Sequence, residues 1–219
     1  MGARVIHVMT HDSIGVGEDG PTHQPVEHLA SFRAMPGLLV FRPADMVEAA
    51  ECWKAALMAK SPSMMVLSRQ KVPAVRSSEN SNGRGDLSFK GAYEISPASS
   101  NAPSVTLFAT GTEVSVAVAA QKALESEGIT TRVVSAPCWN LFDQQPKPYQ
   151  DEVIGQSPVK IAIEAAVKLG WERFIGDHGY FIGMSGFGAS APAERLYQEF
   201  GITAEAVTAK ARAALTAHR

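Results

Sequence analysis

Short apolar runs separated by helix-length stretches constrain this chain more than any other feature. Residues 4–10 (RVIHVMT), 38–43 (LLVFRP) and 64–69 (MMVLSR) read as strands, and the first is expected to be buried. Between the second and third lies ADMVEAAECWKAALMAK, residues 44–60. It opens on Asp45-x-x-Glu48, a pattern resembling a capping box, and stops at Lys60-Ser61-Pro62. Val47, Ala50, Trp53 (or Lys54) and Leu57 fall at helical spacing within it and form the expected core face. An earlier helix is expected to begin near Pro25 and to end before Pro36-Gly37. Strands and helices alternating in this order imply parallel pairing, because parallel neighbours need a crossover connection.

From residue 73 to 103 the composition changes. RSSENSNGRGD (76–86) and SPASSNAP (96–103) are rich in Ser, Asn, Gly and Pro and read as loop or linker. Between them LSFKGAYEI (87–95) alternates Leu87, Phe89, Tyr93 and Ile95, as an edge strand or hairpin arm does. The second block begins with the strand SVTLFATG (104–111). Thr110-Gly-Thr-Glu113 then opens a helix by a second capping box, with Val114, Ala117, Gln121 and Leu124 facing inward and Gly128 ending it. TRVVSAP and VKIAIEAA read as further strands. Ser190 is expected to cap a short helix and Thr203 the last one, whose apolar face includes Val207, Ala211 and Leu215. The expected fold is α/β: two three-layer sandwich domains with mainly parallel sheets, the first incomplete. The expected divisions are 1–72, a linker over 73–103, and 104–219.

Composition removes several classes of function. Twenty Lys and Arg against 22 Asp and Glu leave a formal charge of −2, so no strong field draws the chain to nucleic acid or to an anionic membrane. No apolar run approaches the roughly 20 residues that span a bilayer. Cys52 and Cys138 are too few for a disulfide framework and lack metal-ligand spacing, so buried free thiols and a cytoplasmic location are expected.

The stretch SIGVGEDGPTHQP (13–25) follows the first strand and spells G-x-G-x-x-G at Gly15, Gly17 and Gly20. A dinucleotide loop must run straight into a helix whose N-terminus faces pyrophosphate. Here Pro21 follows the third glycine, and Glu18 and Asp19 would repel a pyrophosphate laid against that backbone. A loop at the carboxyl end of a parallel strand is where α/β sheets place ligands. This one carries His11, Asp12, Glu18, Asp19, His23 and His28. Carboxylates accept hydrogen bonds from hydroxyls, and imidazoles exchange protons near neutral pH, which suits a polar substrate. A solvated loop with ordinary surface charges is the alternative.

THDSIGVGEDGPTHQPVEHLASFRAMPGLLVFRPAD closely resembles the transketolase signature. LSRQ (67–70) resembles that family's next motif. VTLFATGTEVSVAVAAQKALESEGITTRVVSAPCWNLFDQQ and GMSGFGASAPAERLYQEFGITAEAVTAKA resemble the start and end of its C-terminal domain. The resemblance covers essentially the whole chain. It implies the second half of a pyrimidine-binding domain followed by a C-terminal domain, and a pentose phosphate pathway transferase that moves a two-carbon ketol unit between sugar phosphates. The implied cofactors are thiamine diphosphate and Mg2+ or Ca2+. The implied partners are sugar phosphates, the missing N-terminal part or second subunit, and a second copy in a homodimer.

The resemblance also implies roles for particular residues. His23 matches the catalytic histidine beside the cofactor, which contacts the ketose end of the substrate. Asp19 matches the carboxylate that reads the hydroxyl next to the aldehyde. His11 and Arg69 match the groups that hold the substrate phosphate, where a guanidinium fork meets phosphate oxygens better than Lys does. Glu18 is expected to be structural, and His178 has no matching role. The metal-binding Gly-Asp-Gly motif does not occur in the sequence, and the family's catalytic glutamate and ring-cradling aromatics are expected upstream of Met1. No metal ligands are therefore expected here, no cofactor bound by this chain alone, and no activity from it in isolation. A non-catalytic assembly module of the same enzyme is the competing expectation.

Overall fold

The computed structural model describes residues 3–76 and 85–217. Residues 77–84, most of the Ser/Asn/Gly-rich stretch, lie outside the described residues. The first sheet has three strands: β1 (Ile6–Thr10), β2 (Leu39–Phe41) and β3 (Ser63–Leu67). Their order is β1-β3-β2 and every pairing is parallel. The helices between them are α1 (His28–Arg33) and α2 (Met46–Met58). The alternation read from the sequence is thus realised with right element types in right order.

Two expectations about burial fail. Strand β1 is not buried: apart from half-buried Ile6 its residues are exposed. It lies at the edge of the sheet, paired only to β3, so it is half-covered however apolar its sequence. The core face of α2 is also rotated from the expected one. Val47, Ala50 and Leu57 are exposed, while Glu48, Glu51, Cys52, Ala55 and Ala56 are buried. The cause is polar. Asp45 accepts from Glu48 N–H at 3.0 Å and so caps α2, while Glu48 reaches back to Ala44 N–H at 2.7 Å, one residue before the cap. The same Glu48 also accepts from the Tyr93 and Ser135 hydroxyls, at 2.5 Å each. Glu51 meanwhile pairs with Arg76 through two bonds and accepts from Ser88. These buried hydrogen-bonded carboxylates, not the apolar side chains, set the inward face. α1 starts three residues after Pro25, because Gln24 holds the preceding backbone extended.

The second sheet has five strands: β4 (Tyr93–Ser96), β5 (Val105–Ala109), β6 (Thr131–Ser135), β7 (Val159–Glu164) and β8 (Tyr180–Gly183). Their order is β4-β6-β5-β7-β8, with only the β4–β6 pairing antiparallel. LSFKGAYEI therefore splits. Leu87–Lys90 is a 3-10 turn, and the strand begins at Tyr93, inside the stretch read as linker. One face of the sheet is covered by α3 (Glu113–Ser126), α7 (Ala193–Glu199) and α8 (Ala204–Ala217). The other is covered by α4 (Trp139–Asp143), α5 (Lys147–Ile154) and α6 (Glu172–Ile175). Here Trp139, Phe142, Trp171 and Phe174 pack on Phe108, with ring centroids 4.8 to 5.7 Å apart within that group. β8 and the helices of 139–175 have no clear periodicity in the sequence and were not expected. Thr203 caps α8 by accepting from Ala206 N–H at 3.2 Å. Ser190 and Glu113 do not cap their helices; both are turned to the other domain. Among the described residues no helix is long and apolar enough to cross a membrane.

Asp45 also accepts from Val75 N–H and Arg76 N–H, at 2.9 and 2.8 Å. It ties the start of α2 to the segment leaving the first sheet. Asp45→Ala is therefore expected to cost about 2 kcal/mol, at the upper end for a helix cap. A lowered urea midpoint at unchanged m-value would show it; a loss near 0.5 kcal/mol would mean that the two extra bonds contribute nothing.

Candidate functional site

The carboxyl ends of the two sheets face each other. Arg42 follows β2; Thr110 and Glu113 follow β5; Glu164 ends β7. All four meet in one buried cluster. Arg42 is fully buried, and its Nε and Nη2 donate to Asp12 Oδ2 at 3.0 and 2.7 Å. Its Nη1 donates to Glu113 Oε2 and to Thr110 O, the latter at 3.1 Å, and lies 3.4 Å from Glu164 Oε1. Glu164 in turn takes a bidentate fork from Arg33, at 2.8 and 2.9 Å, and the Trp171 indole N–H at 2.8 Å. Burial pushes Glu164 up, but the two guanidiniums and the indole outweigh it and hold the carboxyl below its usual range. Burial raises Asp12, with Arg42 opposing. Arg42 stays charged because the three carboxylates outweigh its own desolvation. Both thiols are free and buried as expected, and burial raises Cys138 to about 12.

Above this cluster runs the loop after β1. It consists of two 3-10 turns, Ile14–Val16 and Pro21–His23, joined through Gly17 and Gly20 with φ of 83° and 82°. Only glycine takes these angles without strain. His11 is also left-handed, at φ 69°, one of two non-glycine residues so placed among those described. Such a conformation costs of the order of 1 kcal/mol and persists only when its surroundings fix it.

His11 and His23 open on one pocket of about 430 Å³, which Thr10, Thr22, His28 and Phe187 also line. The His11 Nδ1 lies 2.8 Å from Thr10 Oγ1, and the His23 Nδ1 lies 3.0 Å from Thr22 Oγ1. Arg69, just past the carboxyl end of β3, is exposed and donates to Val16 O at 3.3 Å. It therefore lies on the same end of the sheet as the loop, though it does not line the pocket. Asp19 is exposed on the loop and does not line the pocket either.

The second domain grips this loop directly. Gln24, 3% exposed, donates to Gly17 O and Ala189 O at 2.7 and 2.8 Å. Ser190 Oγ donates to Glu18 O at 2.6 Å. Arg42, Gln24 and Ser190 were not foreseen as part of the site. The signal available was the charge of Arg42, set directly after a short apolar strand where a guanidinium must find carboxylates. Asp12 Oδ1, Ser13 Oγ, Gln24 Oε1 and Gln70 Oε1 are buried on or against the loop without a partner.

A two-domain α/β chain that presents imidazoles in a loop at the carboxyl end of a parallel sheet has the layout in which α/β proteins hold ligands. The description "Transketolase-like TK C-terminal domain" matches residues 91–203, and "Transketolase, pyrimidine binding domain" matches 1–75. The chain belongs to the transketolase family, whose members are transferases. It is 55% identical over 213 residues to the transketolase of Sinorhizobium medicae, covering 96% of this chain and 30% of that protein. The transketolase from Leishmania mexicana superposes with a TM-score of 0.88 at 45% identity, over 98% of this chain and 31% of that one. A chain titled split gene transketolase, inactive β4 tetramer, shares the fold at TM-score 0.77 and 24% identity, over 98% of this chain and 67% of that one. The chain thus spans about 30% of the length of the Sinorhizobium medicae and Leishmania mexicana transketolases.

The family generally depends on thiamine diphosphate. The polar lining of the pocket is three imidazoles, two threonine hydroxyls, the Gln24 amide and the Glu27 carboxylate. Among the described residues no group of three or more His, Cys, Asp or Glu could hold a metal ion. These residues alone do not fit a metal-bound diphosphate.

The acid limb of stability tests the buried cluster. Glu164 has a folded pKa below its ordinary 4.5, so its contribution is present above that value and lost as pH falls through the folded one. Glu164→Gln is expected to cost about 3 kcal/mol at pH 7, since it removes the carboxylate that Arg33 forks and one of the three around Arg42, and less at the lowest pH at which both proteins stay folded. Urea melts of both proteins at the two pH values measure the difference; equal losses at both would contradict it.

Proposed function

We propose that this chain forms one wall of a transketolase active site. The reaction is transfer of a two-carbon ketol unit between ketose and aldose phosphates. Thiamine diphosphate and its divalent metal, Mg2+ or Ca2+, are held by the portion of the enzyme that this chain does not span. The observation that carries the reading is that His11 and His23 share one pocket, with Arg69 anchored to the same loop.

Each group has a task that its surroundings support. His23 stands at the pocket mouth with Nδ1 engaged by Thr22. Nε2 is then the nitrogen free to take or return the proton of a substrate hydroxyl as the carbon–carbon bond breaks or forms. His11 and Arg69 hold the substrate phosphate; the exposed guanidinium offers a planar fork to its oxygens. Asp19, exposed on the loop, accepts from the hydroxyl beside the aldehyde. The partners are phosphorylated sugars, the remaining transketolase portion, in the same or another polypeptide, and a second copy in a homodimer in the cytoplasm. The isolated chain is inactive on this reading.

Two measurements test it. The purified chain, given thiamine diphosphate, Mg2+, a ketose phosphate and an aldose phosphate, is expected to make no product above background. Assembled with the remaining portion of a transketolase, it is expected to turn over. His23→Ala should then lower kcat by about 10²- to 10⁴-fold with assembly unchanged. Arg69→Lys should raise KM for the phosphorylated substrate roughly tenfold, the loss of about 1.4 kcal/mol of phosphate binding. Loss of assembly with normal chemistry per assembled site would instead favour a non-catalytic assembly module.

A further inference from the structure

The second domain carries none of the groups assigned to the substrate, yet it holds the loop that carries them, directly through Ser190 and the Ala189 carbonyl and indirectly through Arg42. Arg42 is tied to that domain by backbone as well as side chain. Its N–H donates to Pro137 O at 2.9 Å, and its carbonyl accepts from Gly111 N–H and Thr110 Oγ1 at 3.0 Å each. Gly111, with φ 59°, leaves the space: a Cβ there would come within 2.7 Å of the guanidinium. The guanidinium fork then grips Asp12, the immediate neighbour of left-handed His11. Behind the fork, Glu113 accepts from the Tyr197 and Thr112 hydroxyls, at 2.6 Å each. Independently, Gln24 and Ser190 pin the far limb of the same loop to residues 189–190.

We propose that the second domain is a positioning device for the substrate loop: Glu113 and Glu164 fix Arg42, and Arg42 fixes Asp12 and the bend that aims His11 at the pocket. Asp12, Arg42 and Glu113 are positioning residues, because they act through His11. A buried ion cluster is a weak source of net stability compared with an apolar one, but its directional bonds fix the orientation of the groups that make them. That property suits a hinge point that must not drift. Preorganisation of this kind lowers the ordering cost of binding and is read in KM before kcat. The inference rests on the proposed role of His11 for its functional half; the mechanical half stands on the contacts alone.

Hydrogen exchange of the whole chain tests the mechanical half. Glu113→Gln keeps the shape and removes the charge, and Tyr197→Phe removes one donor to Glu113, a milder change should the first variant fail to fold. The control is Arg132→Gln, a buried guanidinium near the other end of the same sheet, bonded to Thr106, Glu152 and Val153. The cluster variants are expected to speed exchange of amides 11–24 at least tenfold while β5 and β7 keep their protection. The control is expected to leave 11–24 unchanged. Unchanged loop exchange in the cluster variants, or an equal rise in the control, overturns the inference.

Kinetics of the assembled enzyme test the functional half. Glu113→Gln is expected to raise KM for the sugar phosphate roughly tenfold and to lower kcat less than threefold. Faster loop exchange with unchanged KM would overturn the link to binding. If His23→Ala leaves turnover intact as well, the proposed function itself fails, and the exchange result still decides the mechanical half.

Discussion

The guanidinium of Arg42 joins the carboxyl ends of the two sheets. It is fully buried, and carboxylates from both domains surround it. A lysine could supply the charge but not the fork, because an ammonium has no fixed plane. Desolvating so many charges is expensive, and only complete pairing offsets it. Completeness in turn demands that β2, β5 and β7 end at matching heights. The cluster thus sets how the domains sit, and the loop after β1 inherits its shape from that arrangement.

The chemistry divides along the same line. The first domain contributes the imidazoles and the exposed guanidinium of Arg69, the groups proposed to meet the substrate. The second contributes buried carboxylates, hydroxyls and main-chain carbonyls that orient them. Strain at His11 and unpartnered acceptors at Asp12, Gln24 and Gln70 gather in this region. Folded proteins seldom leave such defects without use, and functional loops are where they collect.

Much of the fold was legible because apolar runs and helix signals are local. The Asp45 cap, the glycine at 128 and the threonine cap at 203 each did what their residue type prescribes. Burial was less legible. The apolar stripe of α2 pointed to Val47 and Leu57, whereas Glu48 and Glu51 turned inward to partners more than 30 residues away. Strand β1 looked like a core strand because its composition cannot show which neighbours it has. At the site, His11, His23 and Arg69 came from resemblance to a known signature. Arg42 and Glu113 were invisible for the opposite reason: charge on a strand end or in a first helical turn has many ordinary explanations, and only their long-range pairing singles them out.

Strand β1 has a consequence for handling the polypeptide. Among the described residues β1 has no strand on its outer side, where alternate main-chain amides and carbonyls point to solvent next to solvent-facing Val8 and Met9. Neither a proline nor a bulge blunts that ribbon, and such borders template self-stacking. Produced without a covering strand, the protein is expected to be sticky and to yield poorly in soluble form, and a charged residue in place of Val8 is the simplest remedy.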